Sequence, residues 1–184
     1  MFGQDPDFRH ESLITRYNTD LANNLGNFVS RALAMQQKYF AGVVQPLGVD
    51  WPAEDRELRD KFGQTEKDID GYMRDLLFHR ALESVMAALD HANRYIVQMA
   101  PFTMIKDPAN QARVGAVLHQ LLEVVRTLAR LLAPFLPDTA RELRALLLLD
   151  EAAVKAPWGR GFAAGHKINA PKVLFPRIDT GAKK

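Results

Sequence analysis

Cysteine is absent from all 184 residues. That excludes disulfides, thiol nucleophiles and every zinc site that needs a thiolate. No apolar run approaches the ~20 residues needed to span a bilayer, and no signal-peptide apolar stretch stands at the N-terminus. These absences lead us to expect a soluble, cytoplasmic protein with no membrane partner. A strong charge of one sign is missing too: 24 Lys and Arg face 22 Asp and Glu, a net charge of +2. Composition alone therefore does not single out nucleic acid. The balance is uneven along the chain, however. Residues 1–100 carry 11 basic against 15 acidic side chains (−4), and residues 101–184 carry 13 against 7 (+6).

What is present is enough apolar material for a real core, 47% of residues, with one domain a better expectation than two. It is patterned for helices. Ile14, Tyr17, Leu21, Leu25, Phe28, Ala32, Met35 and Tyr39 recur every three or four residues, one stripe of a long amphipathic helix over 12–40. Ser12 or Asp7 is its expected N-cap, and Gly42 its stop. A shorter charged helix is expected over 54–66. A second long one runs from Thr65 or Lys67 to Met99, with Thr65 and Asp68 resembling a capping box, and it ends where Ala100 precedes Pro101. Asp107 and Pro108 open a third, with Val114, Leu118, Leu121, Val125, Leu128 and Leu132 on its stripe. A last helix is expected from Asp138 to about Leu148. No strand-length alternation or internal repeat is seen. The reading is all-α: an antiparallel bundle of four to five helices over 1–150, closed by a short helix and an irregular tail over 151–184.

Familiar catalytic chemistry is missing. No Glu has a His three residues later, as a di-metal bundle site requires. His10-Glu11 lacks the second His of a metalloprotease helix, because Ile14 stands there. Asp68-Ile69-Asp70-Gly71 lacks the rest of a calcium loop. Gly159, Gly161 and Gly165 miss the dinucleotide fingerprint by one residue. The five histidines, at 10, 79, 91, 119 and 166, are scattered, so no catalytic or metal-binding residue is assigned.

The informative stretch is Arg16-Tyr17-Asn18-Thr19-Asp20-Leu21-Ala22-Asn23-Asn24-Leu25-Gly26-Asn27. Asn prefers caps and turns to helix interiors, and Gly costs about 1 kcal/mol there relative to Ala. Either another element packs closely on Gly26 or the site is functional. The segment from Arg16 to Arg31 resembles the first helix of the anticodon-binding domain of methionyl-tRNA synthetase, a class I family. Ala100-Pro101-Phe102 with Lys106-Asp107, the turn from Leu132 to Pro137, and Gly165-His166-Lys167-Ile168 through Leu174-Phe175-Pro176-Arg177-Ile178 resemble three further pieces of that family in the same order. The family's HIGH and KMSKS signatures are absent. The resemblance thus implies a C-terminal part that binds tRNA without activating methionine. ATP and Mg²⁺, and Zn²⁺ where a zinc knuckle is present, would serve the full-length enzyme, and no cofactor is expected within this chain.

The resemblance also implies the site. In that family an Asn and an Arg four residues later contact anticodon bases, and here they are Asn27 and Arg31. At about 100° per residue these lie about 40° apart on one helical face, and Lys38 lies about 20° from Asn27. Asn reads a base edge, Arg forks onto a base or phosphate, and Lys38 would hold the backbone. An aromatic that stacks on a base falls at Phe102, where the family has Trp, with Pro101 fixing its approach. From the residues alone, Arg31 also reads as an ordinary surface side chain, Asn27 as a cap or a bridge between helices, Phe102 as a core plug and Pro101 as a helix stop. The implied partners are the CAU anticodon loop of methionine tRNA and the catalytic domain of the same enzyme, and not DNA. Two other readings stay open: the anticodon domain of another class I synthetase (leucine, isoleucine, valine or cysteine), and a helical protein-interaction module.

Overall fold

The computed structural model describes residues 9–48 and 51–179. Among them the architecture is all-helical, and the sole β-type pairing is an isolated antiparallel bridge between Val43 and Lys167. The first rod is continuous: α1 (His10–Arg16), a π-helical segment (Tyr17–Gly26) and α2 (Asn27–Phe40). Then come α3 (Ala53–Arg74), α4 (Phe78–Met99), the short α5 (Pro101–Met104), a 3₁₀ turn (Pro108–Asn110), α6 (Gln111–Leu131), α7 (Pro137–Leu147) and the short α8 (Glu151–Lys155). Short connections make neighbouring rods antiparallel.

The bundle is organised around α6, where every residue from Val117 to Ala129 is buried. Sequence periodicity gives this helix one apolar stripe, but a helix surrounded by others must be covered all round. Leu118, Leu121, Leu122 and Leu128 are fully buried, each worth roughly 1.5–3 kcal/mol in burial. Several polar residues on the remaining face find partners. Gln120 accepts a hydrogen bond from the Trp158 indole at 2.8 Å, and Arg126 Nε and Nη2 both donate to Glu123 Oε2.

Two expected boundaries are corrected. The chain does not break near residue 66: α3 runs unbroken to Arg74, and the turn falls at Leu76, whose φ of 56° is left-handed. Leu58, Phe62, Thr65 and Ile69 form one continuous buried face there. Thr65 is therefore no cap. Its hydroxyl donates to the Lys61 carbonyl one turn back, at 2.9 Å. Leu76, at the turn, is 65% exposed. Ser12 does not cap the first helix either. The helix starts at His10 after Arg9, so Ser12 already lies inside its first turn. Asp7 lies outside the described residues. By contrast, Asp107 caps as expected, accepting the Ala109 N–H at 3.0 Å, and α4 ends at a left-handed Ala100 before Pro101.

The segment after α8 crosses back over the bundle. Phe162 sits edge-on to His119 and His166 at ring distances of 5.5 and 5.4 Å. The Val44 N–H donates to the His166 carbonyl and the Ile168 N–H to the Gly42 carbonyl. The Asn169 N–H donates to the Leu146 carbonyl, and its side-chain amide to that of Ala145.

Candidate nucleic-acid interface

The first rod owes its shape to the Asn-rich stretch. A π-helical turn widens the coil and shifts the face that follows. Gly26 ends this segment, and a Cβ there would lie 3.2 Å from the Leu21 carbonyl oxygen and 3.5 Å from the Phe175 ring. The close approach expected at Gly26 is thus made by Phe175, which also meets Tyr17 edge-to-face at 6.1 Å. The asparagines then divide their tasks. Asn18 binds the Ile178 backbone. Asn24 donates to Asp90 at 2.7 Å and accepts from Asn93 at 2.7 Å, tying the rod to α4. Asn27 is exposed and is not the bridging residue.

From Asn27 onward the backbone is α-helical, so Asn27 and Arg31 lie one turn apart on one face. Arg31 enters an open groove of about 450 Å³ between α2 and α4. Its other walls are Asn93, Arg94, Val97 and Gln98. Among the described residues neither Arg31 nor Arg94 is paired with a carboxylate, and Val97 is 66% exposed. The groove therefore offers two uncommitted guanidinium groups, the Gln98 amide and the apolar Val97, while the Asn93 amide nitrogen is spent on Asn24 and the Leu89 carbonyl. His91, on α4 beside Arg94, is held below the usual histidine range, first by burial and then by the Arg94 charge.

Just past the groove, α4 stops and α5 begins. Pro101 is buried, while Phe102 projects 48% exposed. The proline anchors the turn and leaves the ring outside, so Phe102 does not plug the core. Lys38 is exposed near the end of α2, its ammonium 5.6 Å from the Tyr39 ring centroid, and it does not line the groove. Asn93, Arg94, Val97 and Gln98 were missed in the sequence. Two overlapping four-residue steps, 93 to 97 and 94 to 98, place them on one face of α4 and were the available signal.

No helix among the described residues is long and apolar enough to cross a membrane. Comparison with known proteins gives consistent matches. The family model described as the anticodon binding domain of methionyl tRNA ligase matches residues 45–184, and that of class I tRNA synthetases (M) matches residues 1–33. The methionine–tRNA ligase of Clostridium acetobutylicum is 38% identical over 99% of this chain and 28% of its own length. That of Pyrococcus abyssi is 36% identical over 95% of this chain and 24% of its own. The apo crystal structure of Mycobacterium tuberculosis methionyl-tRNA synthetase superposes with a TM-score of 0.85 at 31% identity, covering 94% of this chain and 35% of that one. Its complex with methionyl-adenylate gives 0.84 at the same identity, over 92% of this chain and 34% of that one. The chain thus spans 24–29% of the length of these curated relatives. With the fold, the order of its pieces and these matches in agreement, the chain belongs to the family of methionyl-tRNA ligase anticodon-binding domains.

Proposed function

We propose that this chain reads the CAU anticodon of methionine tRNA, within a longer polypeptide that joins methionine to that tRNA at the expense of ATP. The observation that carries the reading is Arg31 facing Arg94 and Gln98 across an open groove, with an exposed aromatic, Phe102, just beyond the end of α4. Sequence-specific RNA recognition targets unpaired loops, whose splayed bases are stacked on rings and hydrogen-bonded at their edges. Arg31 and Arg94 supply forked donors and charge, Asn27 a mixed donor and acceptor, and Phe102 the stacking face, with Pro101 holding its backbone. Lys38, about 10 Å further along the helix from Arg31 at 1.5 Å per residue, is assigned to the phosphate backbone. Val97 offers an apolar contact to a base face or methyl group.

Activation of methionine, with its ATP, Mg²⁺ and zinc requirements, is assigned to the remainder of the longer enzyme. The tail, fastened to the first rod through Phe175 and Ile178, is assigned a place facing the catalytic domain. The enzyme would work in the cytoplasm.

Binding of fluorescent anticodon stem-loops at low salt tests the reading. A CAU loop is expected to bind more tightly than a scrambled loop, and Arg31→Ala and Asn27→Ala are expected to erase the preference. Binding is also expected to fall steeply with salt. Equal binding of both loops by the folded chain would overturn the proposal, and preference for another anticodon would reassign it to a different class I synthetase.

A further inference from the structure

A second concave site shares no residue with the Arg31 groove. It is a cavity of about 210 Å³ between α3, α6 and the start of the tail, lined among others by Arg59, Glu66, Arg126, Arg130, Lys155 and Trp158. Four cations thus surround one carboxylate. We propose that this cavity is a binding site for a phosphate group.

The state of each cation carries the argument. Arg126, 2% exposed, forms the floor. It spends four of its five N–H donors on Glu123 and on the carbonyls of Ala153 and Val154, and it fixes a positive charge partly offset by Glu123. Arg130 pairs with Glu66 through Nη2 alone, and its Nε is buried without a hydrogen-bond partner. Arg59 donates Nε and Nη2 to Asp60 and lies 5.2 Å over the Trp51 ring, which leaves Nη1 unspent. Lys155, 64% exposed, meets Glu151 at 2.5 Å and retains two further donor directions. Donors from three elements therefore converge on one concavity with capacity left over. A buried donor left unpaired is costly, and forked guanidinium groups match a tetrahedral oxyanion. The size narrows the ligand. Drug-sized ligands occupy pockets of roughly 300–1,000 Å³, so the concavity itself is of a size for a phosphate group and not for a whole nucleotide. The phosphate comes either from free solution or from an RNA backbone.

Inorganic phosphate, titrated against chloride at constant ionic strength, is the probe, read on the Trp158 indole N–H by NMR. The chain has two tryptophans, so the signal is readily assigned. A saturable shift is expected, with affinity about tenfold lower in Arg130→Gln and several-fold lower in Lys155→Gln. No saturable shift, or unchanged affinity in both variants, overturns the site. Should Arg130→Gln fail to fold once Glu66 loses its partner, Lys155→Gln and Arg59→Gln, both at the rim, carry the test on the same terms. A second arm adds methionine tRNA. If the site takes RNA phosphate, tRNA displaces the phosphate and Lys155→Gln weakens tRNA binding. If it takes free phosphate, tRNA leaves the Trp158 titration unchanged. Failure of the anticodon reading leaves the phosphate titration interpretable, because it uses neither Arg31 nor Phe102; the tRNA arm rests on that reading and is scored only once tRNA binding by the chain has been measured.

Discussion

The Asn18 side chain binds the Ile178 backbone twice, donating from Nδ2 to the carbonyl and accepting the N–H at Oδ1, both at 2.9 Å across 160 residues of sequence. A primary amide has the donor–acceptor layout of a peptide unit, so Asn18 acts as one rung of a strand for a tail that has no strand to pair with. Asn18→Ala removes both bonds, and at roughly 0.5–1.5 kcal/mol each the expected loss is about 1–3 kcal/mol. Loss of hydrogen-exchange protection at the Ile178 amide, with α6 still protected, is the expected signature. Asn18→Asp sets a carboxylate oxygen against the Ile178 carbonyl oxygen, two acceptors face to face, so it should be no more stable than Asn18→Ala at pH 7.

The π-helical rod shows what sequence patterning conveys and what it does not. The 3–4 spacing from Ile14 to Tyr39 reveals one long helix, and the misplaced Gly26 and surplus Asn reveal that something unusual happens inside it. Spacing alone does not reveal the π-helical segment: the stripe names Tyr17 and Leu21, which are half-buried, whereas the wider coil turns Asn18, Ala22, Leu25 and Gly26 inward. The end of α3 was illegible for a different reason. Its turn at Leu76 uses no Gly or Pro, and a left-handed Leu gives no compositional sign. The site was half legible. Asn27, Arg31 and Phe102 belong to recognisable segments, whereas Arg94, Val97 and Gln98 join them only through a tertiary contact set by Asn24 and Asn93.

Phe102 is half exposed and outside the core, so changing it should leave folding intact to within about 0.5 kcal/mol. Base–aromatic stacking is worth roughly 1–3 kcal/mol per base. Phe102→Ala should therefore weaken binding of a CAU stem-loop by about five- to 150-fold, and Phe102→Trp, with its larger ring, should tighten it a few-fold. Stem-loop affinities for the three proteins check this. Unchanged binding in Phe102→Ala would mean that the ring touches no base.

Gly161, part of the near-miss glycine pattern, serves the buried arginine instead. A Cβ there would overlap the Cδ and Nε atoms of Arg126 and sit 3.2 Å from the Ala153 carbonyl oxygen. Arg126 has no room to yield, being 2% exposed and tied to Glu123 and Val154. Overpacking of this kind costs about 1–3 kcal/mol, and displacing the guanidinium from Glu123 adds to it. Gly161→Ala should accordingly lower stability by 2 kcal/mol or more in urea unfolding. Gly165→Ala should cost less, because its Cβ meets nothing, although φ there is +73°.

Asp55 is fully buried at the start of α3 and collects four donors: Arg113 Nη1 and Nη2 at 2.6 and 2.7 Å, the Tyr95 hydroxyl at 2.7 Å, and Gln120 at 3.4 Å. Burial pushes its carboxyl up, but the hydrogen bonds from Arg113 and Tyr95 and the Arg113 charge outweigh it, so the net direction is down from the ordinary 3.8. The same contact raises Arg113 and, with burial, Tyr95. A carboxyl whose folded pKa lies below its unfolded one contributes stability that is fully present above the unfolded value. That stability is lost as pH falls from about 3.8 through the folded value. Urea midpoints should be flat from pH 7 to 5 as far as this group is concerned, and should decline below 4. Asp55→Asn removes the charge but leaves Arg113 half-buried beside a neutral amide. Breaking such a pair costs about 3–5 kcal/mol, so at pH 7 the variant should be less stable by that order. It should also lose less than the wild type on acidification, and the gap between the two should narrow below pH 3. A gap that stays constant down to pH 2 would show that Asp55 does not titrate with folding.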